Sequence, residues 1–251
     1  MKILVTFAVA SEFAVWRRHH DFRQVAHEPF ALYVSEIGGH AVRALITGMG
    51  TAAAAEATRW ALSSPADICI SSGFAGALSA DLNVGTVLAG RVVLRAEREL
   101  AVASDHQLLA VAQEAGAQQV ERFLTSEHPI ADAAQKVALQ GAADAVEMES
   151  FEILAEAARR GVRAVAIRSV SDTASCSMPY DFDAARDERG RLRMSALLAQ
   201  MIRQPQRLPE LFRLARDCRF AARQLAEFLD RYLLLLGARL DLSQSEMVAA
   251  T

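Results

Sequence analysis

Two acids, Glu147 and Glu149, flank Met148 in Val146-Glu147-Met148-Glu149-Ser150, where a strand meets a helix. That pattern suits a ribose, whose hydroxyls donate to carboxylates and whose carbon face packs on a thioether. Glu149 also fits as a plain partner of a helix dipole. A second acid, Asp172, ends the apolar run of Ile167-Arg168-Ser169-Val170-Ser171-Asp172, with Ser171 beside it. A carboxyl at the end of a buried strand can have a raised pKa and serve as a general acid, or it can cap the next turn. A third, Glu12, follows the N-terminal apolar run in Ala8-Val9-Ala10-Ser11-Glu12, with Ser11 as a candidate helix cap. Two turns complete the set. Gly48-Met49-Gly50-Thr51-Ala52-Ala53 matches the dinucleotide fingerprint, but no acid ends the following strand. Its plainer reading is a tight turn whose N–H groups face an anion or a polar ligand edge. Gly73, Phe74, Ala75 and Gly76, in Gly73-Phe74-Ala75-Gly76-Ala77-Leu78, let backbone approach a ligand closely.

These segments must be positioned by strands and helices. Apolar runs of strand length fall at 2–8, 31–37, 41–47, 68–72, 86–95, 122–125 and 164–171. Several lack clean alternation, as strands covered on both faces do. Helical segments lie between them. Ser104-x-x-Gln107 resembles a capping box, and Gly116, Gly141 and Gly161 stop successive helices. The alternation predicts an α/β fold with a mixed, largely parallel twisted sheet flanked by helices. Candidate ligand residues then gather beyond the carboxyl ends of the strands. From Pro209 to Leu236, Leu211, Leu214, Cys218, Ala221, Leu225, Phe228 and Tyr232 recur at helical spacing. That predicts a C-terminal amphipathic helix whose other face holds Arg213, Arg216, Asp217, Arg223 and Glu227. The candidate segments named above all fall within residues 1–180. Residues 181–251 read as a loop and helical extension packed on the same domain.

Composition narrows the function classes. The chain has 251 residues, 52% hydrophobic and 23% charged, which suits a globular domain. Lys+Arg number 27 against 30 Asp+Glu, so no basic excess supports nucleic-acid binding. No apolar run approaches the ~18–20 residues of a membrane span. The N-terminal run reads as a first buried strand in preference to a signal peptide. Three cysteines (Cys69, Cys176, Cys218) without a C-x-x-C pair suit a reducing cytoplasm. The six histidines show no metal-ligand spacing, so no metal is expected.

In this order, five features resemble the nucleoside phosphorylase / methylthioadenosine–S-adenosylhomocysteine nucleosidase superfamily. They are the acid after the first strand, the Gly48-x-Gly50 turn, the 72–78 segment with Val84-Gly85, the 146–149 acids, and Arg168-Ser169-Val170-Ser171-Asp172. The resemblance implies a three-layer α/β/α fold and cleavage of the N-glycosidic bond of an adenine-type nucleoside. It implies Asp172 as the general acid to N7 of the departing purine and Glu12 as the carboxylate activating water. Glu149 would hold the ribose hydroxyls, Met148 would pack the sugar and Glu147 would support them. Ser171, Gly48, Gly73, Phe74, Ala75 and Gly76 are the further expected substrate contacts. Phe182 falls where nucleosidases carry a base-contacting aromatic. No cofactor is implied, and inorganic phosphate enters only as the co-substrate of a phosphorylase. Phosphate carries about two negative charges and wants Arg donors or helix N-termini. Hexameric phosphorylases carry an Arg just before the equivalent of Ala75-Gly76, where this chain has Phe74. Arg43 and Arg91 are the substitutes in view. Glu12 would repel phosphate and suits water, so hydrolysis is the favoured reading.

Departures from the nucleosidases are Phe74 in place of Ser, the 125–130 segment without an aromatic, and the C-terminal segment. The last is more similar to the hopanoid-associated nucleosidase/phosphorylase branch, whose proposed substrate is a nucleoside bearing a large lipid. Peripheral membrane contact through the C-terminal helix follows as a possibility, and a homodimer as the expected assembly. A silent nucleoside-binding module and a dinucleotide-dependent oxidoreductase are the competing classes.

Overall fold

The computed structural model describes residues 1–96, 100–181, 184, 185, 187 and 193–249. The strands are β1 (Lys2–Phe7), β2 (Arg23–Ala26), β3 (Ala31–Ile37), β4 (His40–Ile46), β5 (Ile68–Ser71), β6 (Phe74–Ala77), β7 (Val87–Arg95), β8 (Leu100–Ala103), β9 (Gln118–Thr125), β10 (Ala145–Glu147) and β11 (Arg163–Asp172). The helices are α1 (Ala10–Phe13), α2 (Trp16–His19), α3 (Thr51–Ala61), α4 (His106–Glu114), α5 (Ala133–Ala138), α6 (Ser150–Arg159), α7 (Met194–Arg203) and α8 (Leu208–Ala249).

One mixed sheet runs β2-β3-β4-β1-β5-β11-β6-β10-β9-β7-β8. β4, β1, β5 and β11 are parallel, so their carboxyl ends share one edge. β11 pairs with β5, β6 and β7, and the β7 pairing closes β11, β6, β10, β9 and β7 into a small barrel. Gly90 permits this packing, since a Cβ there would lie 2.6 Å from the Phe123 ring. A register shift between Val170 and Asp172 re-aims the end of β11 against Gly76.

Alternation along β1 explains the layers. Ile3, Val5 and Phe7 join one apolar cluster with α8, while Leu4 joins a second with α3 and α6. In α8, Ala221, Leu225, Phe228, Leu229 and Tyr232 are fully buried on the sheet. Further up the same stripe, Leu214 and Cys218 are only half-buried and face a cavity. Among the described residues, no helix is long and apolar enough to cross a membrane.

The structure corrects several local expectations. β2, β6, β8 and β10 are additional strands, and α8 continues past Leu236 to Ala249. The cap of α4 is Asp105, whose carboxylate accepts from the Gln107 and Leu108 N–H groups. Ser104 instead donates to the Gly90 carbonyl. Ser11 lies inside α1 and caps nothing.

Candidate active site

A cavity of about 800 Å³ opens at the shared carboxyl edge of the sheet. Glu12 folds back over the end of β1. Its Oε2 accepts from the Ala8 and Val9 N–H groups at 2.7 and 3.1 Å, and its Oε1 from Phe74 N–H at 2.8 Å. Burial raises the Glu12 pKa above its ordinary value, against the pull of Arg168 and of these donors. The sequence reading makes Glu12 the carboxylate that activates water, and a buried group more basic than a free carboxylate suits one that takes a proton from water.

Arg168, 1% exposed, lies behind the cavity floor. Its guanidinium donates to Glu147 at 2.5 Å and sits 3.7 Å from Glu149. Its charge also acts on Glu12. One cation therefore serves three buried carboxylates. Gly73 has φ +143°, and a Cβ there would lie 2.8 Å from Glu12 Oε1 and 2.9 Å from Arg168 Nη1. Gly73 is thus clearance for that pair, and it does not line the cavity as the sequence reading expects.

Glu147 and Glu149 have diverged. Glu147 accepts from the Glu149 and Ser150 N–H groups, from Thr125 Oγ1 and from Arg168. Burial works to raise its pKa, but Arg168 and these donors outweigh it and hold the carboxyl below its ordinary value. Glu149 accepts from Gly50 N–H at 2.8 Å through Oε1. Burial, with the charges of Glu147 and Glu12 adding to it against Arg168, pushes Glu149 up to about 7. Its Oε2 makes no hydrogen bond among the described residues, which leaves an acceptor for a ligand hydroxyl. The Gly50 N–H expected to meet a ligand is spent on orienting Glu149.

At the other end of the cavity, Ser171 Oγ donates to Asp172 Oδ1 at 2.6 Å, and Lys136 Nζ donates to Oδ2. The end of β11 is therefore not simply apolar. Gly48, Phe74, Ala75, Gly76, Glu147, Met148, Glu149, Ser171, Asp172 and Glu12 all line the cavity. Phe182 lies outside the described residues. Neither candidate phosphate arginine reaches the cavity. Arg43 donates to the Ala61, Ser64 and Pro65 carbonyls, and Arg91 pairs with Glu121.

The sequence reading assigned no role to several residues at the site. Arg168 stands inside a quoted motif, and its position before Ser169 was the available signal. Lys136 and Lys2 are the only lysines among 27 basic residues, a bias that singles out Lys136. Phe30, His128, Ile130 and Met178 come from loops, where nothing local marks them, and Leu214 and Cys218 come from the apolar stripe of α8, whose spacing predicts a helix but not a cavity wall. Burial pushes the Cys218 thiol up to about 12, so it is a neutral wall group.

The fold has close counterparts among solved structures. The 5′-methylthioadenosine/S-adenosylhomocysteine nucleosidase of Neisseria meningitidis, in complex with methylthio-immucillin-A, superposes with TM-score 0.70 at 21% identity, covering 93% of this chain and 98% of that one. That of S. pneumoniae, with the transition-state inhibitor MT-ImmA, gives 0.71 at 19%, covering 94% and 100%. The futalosine hydrolase of Helicobacter pylori gives 0.71 at 17%, covering 93% and 97%. No curated protein matches the chain in sequence. The alignments extend well past residue 180, where the motif resemblance stops, so most of the C-terminal segment has a counterpart in these folds. The family model for the phosphorylase superfamily matches residues 2–203, and the chain belongs to that superfamily.

Proposed function

We propose that this chain is a purine nucleosidase that hydrolyses the N-glycosidic bond of an adenine-type nucleoside. The observation that carries the reading is the convergence of Asp172, Glu12 and Glu149 on one cavity whose described lining holds no Arg or Lys. Bond cleavage builds positive charge on the sugar and negative charge on the base. Carboxylates near the sugar stabilise the first. A proton from Asp172 to N7 neutralises the second. Glu149 Oε2 accepts from a ribose hydroxyl, and Glu12 takes the proton of the attacking water. A phosphate nucleophile would meet these same carboxylates, and the nearby Arg168 is already committed to Glu147. Purine release from adenosine, methylthioadenosine, inosine and a 5′-alkyl adenosine, with and without phosphate, tests the reading. The expected result is phosphate-independent release. Strict phosphate dependence with ribose 1-phosphate as product would make it a phosphorylase. Tight binding without release from any substrate would make it a silent module.

The substrate we propose carries a large apolar 5′ group, as in the hopanoid-associated branch. The cavity lies toward the upper end of the ~300–1,000 Å³ range of ligand pockets. Its wall continues through Ile46, Met49, Phe30 and Leu214. The first half of α8 adds a surface suited to lipid. Phe212 is 69% exposed and Phe220 48%. Along the helix Arg213, Arg216, Arg219 and Arg223 are exposed and outnumber Glu210 and Asp217 in the same stretch. An apolar and basic face of this kind binds anionic bilayers at the headgroup level. The protein should co-sediment with anionic vesicles and not with neutral ones. Phe212→Ser with Arg216→Glu and Arg219→Glu should abolish this, and failure of the parent chain to bind overturns the contact. A homodimer in a cytoplasmic setting completes the reading and rests on the resemblance.

A further inference from the structure

Lys136 is fully buried, and each of its ammonium protons has an acceptor. It donates to Asp172 Oδ2, to the Thr173 carbonyl at 3.0 Å and to the Cys176 carbonyl at 3.0 Å. A bare structural stitch between α5 and the loop after β11 does not require it. Ala133 N–H already donates to Ser177 Oγ at 3.0 Å, and Met178 N–H to the Ala131 carbonyl at 2.8 Å. A neutral group would serve such a stitch without the cost of burying a charge. The chain also uses Arg at every other basic position except Lys2. A guanidinium is planar, whereas an ammonium is compact and presents three diverging donors to the three oxygens found here.

We propose that Lys136 is a positioning residue for the glycosidic cleavage, acting through Asp172 by stabilising the carboxylate that forms as the proton leaves. This rests on the general-acid role proposed above for Asp172. In that step the Asp172 O–H bond breaks and N7–H forms. The O–H electron pair stays on Asp172, and the C1′–N9 pair passes into the base. Water bonds to C1′ and gives its proton to Glu12. Lys136 keeps its own protons throughout. Its hydrogen bond to Asp172 strengthens as the acceptor becomes charged. An interaction that is stronger in the transition state than in the ground state raises kcat.

A double-mutant cycle tests this on whichever nucleoside of the panel above the parent cleaves fastest. Lys136→Met should lower kcat by about 10²-fold, the scale of losing one preorganised donor. KM should stay within about threefold. Lys136→Gln, which keeps N–H donors without the charge, should lose nearly as much. If Lys136 acts through Asp172, adding Lys136→Met to Asp172→Asn should cost little more than Asp172→Asn alone. Losses that multiply, an unchanged kcat, or failure of both Lys136 variants to fold would overturn the proposal and leave a structural strut. An Asp172→Asn variant of undiminished activity, or a parent that cleaves none of the panel, fails the underlying reading instead and removes this one with it.

Discussion

Asp172→Asn should lower kcat for purine nucleoside cleavage by about 10²–10⁴-fold, the usual contribution of a general acid. The amide is nearly the same shape. With its oxygen turned toward Lys136 it still accepts there, so the local geometry can persist. What it lacks is a proton acidic enough to pass to N7. The loss in activity should therefore fall on kcat, with KM close to that of the parent, while the melting temperature drops because the buried Lys136 loses the carboxylate that faces it. Steady-state base release beside a thermal melt checks both. Activity retained within about tenfold would remove Asp172 from the acid role. Loss of the folded state at the assay temperature would mean that the variant reports packing instead of chemistry.

The largest stability effect should come from Arg168→Met. The substitution leaves Glu12, Glu147 and Glu149 buried with no cation among them. Removing one partner of a buried ionic cluster costs about 3–5 kcal/mol. For a chain of this size that is roughly 10 °C in Tm. The loss should depend on pH. In the parent, Glu147 lies below its ordinary value, so its contribution is present at neutral pH and is lost as pH falls through that range. Glu149, at about 7, has the opposite sign: it favours the folded state in acid and loses this as pH rises through about 7. Without Arg168 all three acids follow the pattern of Glu149. The variant should then trail the parent far more at pH 8 than at pH 5. Melts at pH 5, 6, 7 and 8 decide this. Parallel curves would show that the guanidinium does not hold the cluster's charge.

Much of this architecture is legible in the chain, and the exceptions have physical causes. β1, β3, β4, β5, β7 and β11 are Val- and Ile-rich runs that only a covered sheet explains. β2 is an edge strand of mixed polarity, β8 is a four-residue edge strand that leaves its apolar side chains largely exposed, and β10 has three residues. β6 reads Phe-Ala-Gly-Ala, which looks like a turn until β11 and β10 pair with it. The candidate acids were legible because carboxylates at strand ends are conspicuous. Lys136 and Arg168 carried weaker signals that did not disclose their roles, since a buried cation is explained only by the anions it meets, and those lie 36 and 21 residues away. Gly73 was misplaced for a similar reason. A glycine signals close approach, but not whether a ligand or the protein's own Glu12 makes it.

β11 carries Asp172 and Arg168 on one continuous strand, clamped along its length by three neighbours. The span between Asp172 and Arg168 is thus set by a few peptide units, shortened by the shift after Val170. It does not vary with the movement of any loop. On the chemistry proposed above, such a site works as a fixed gauge: it sets the purine-to-ribose length that a reacting nucleoside must have, whatever the elements around the cavity do. Tolerance should therefore be wide at the 5′ end, where the cavity wall is built from separate elements, and narrow for the distance between purine and ribose.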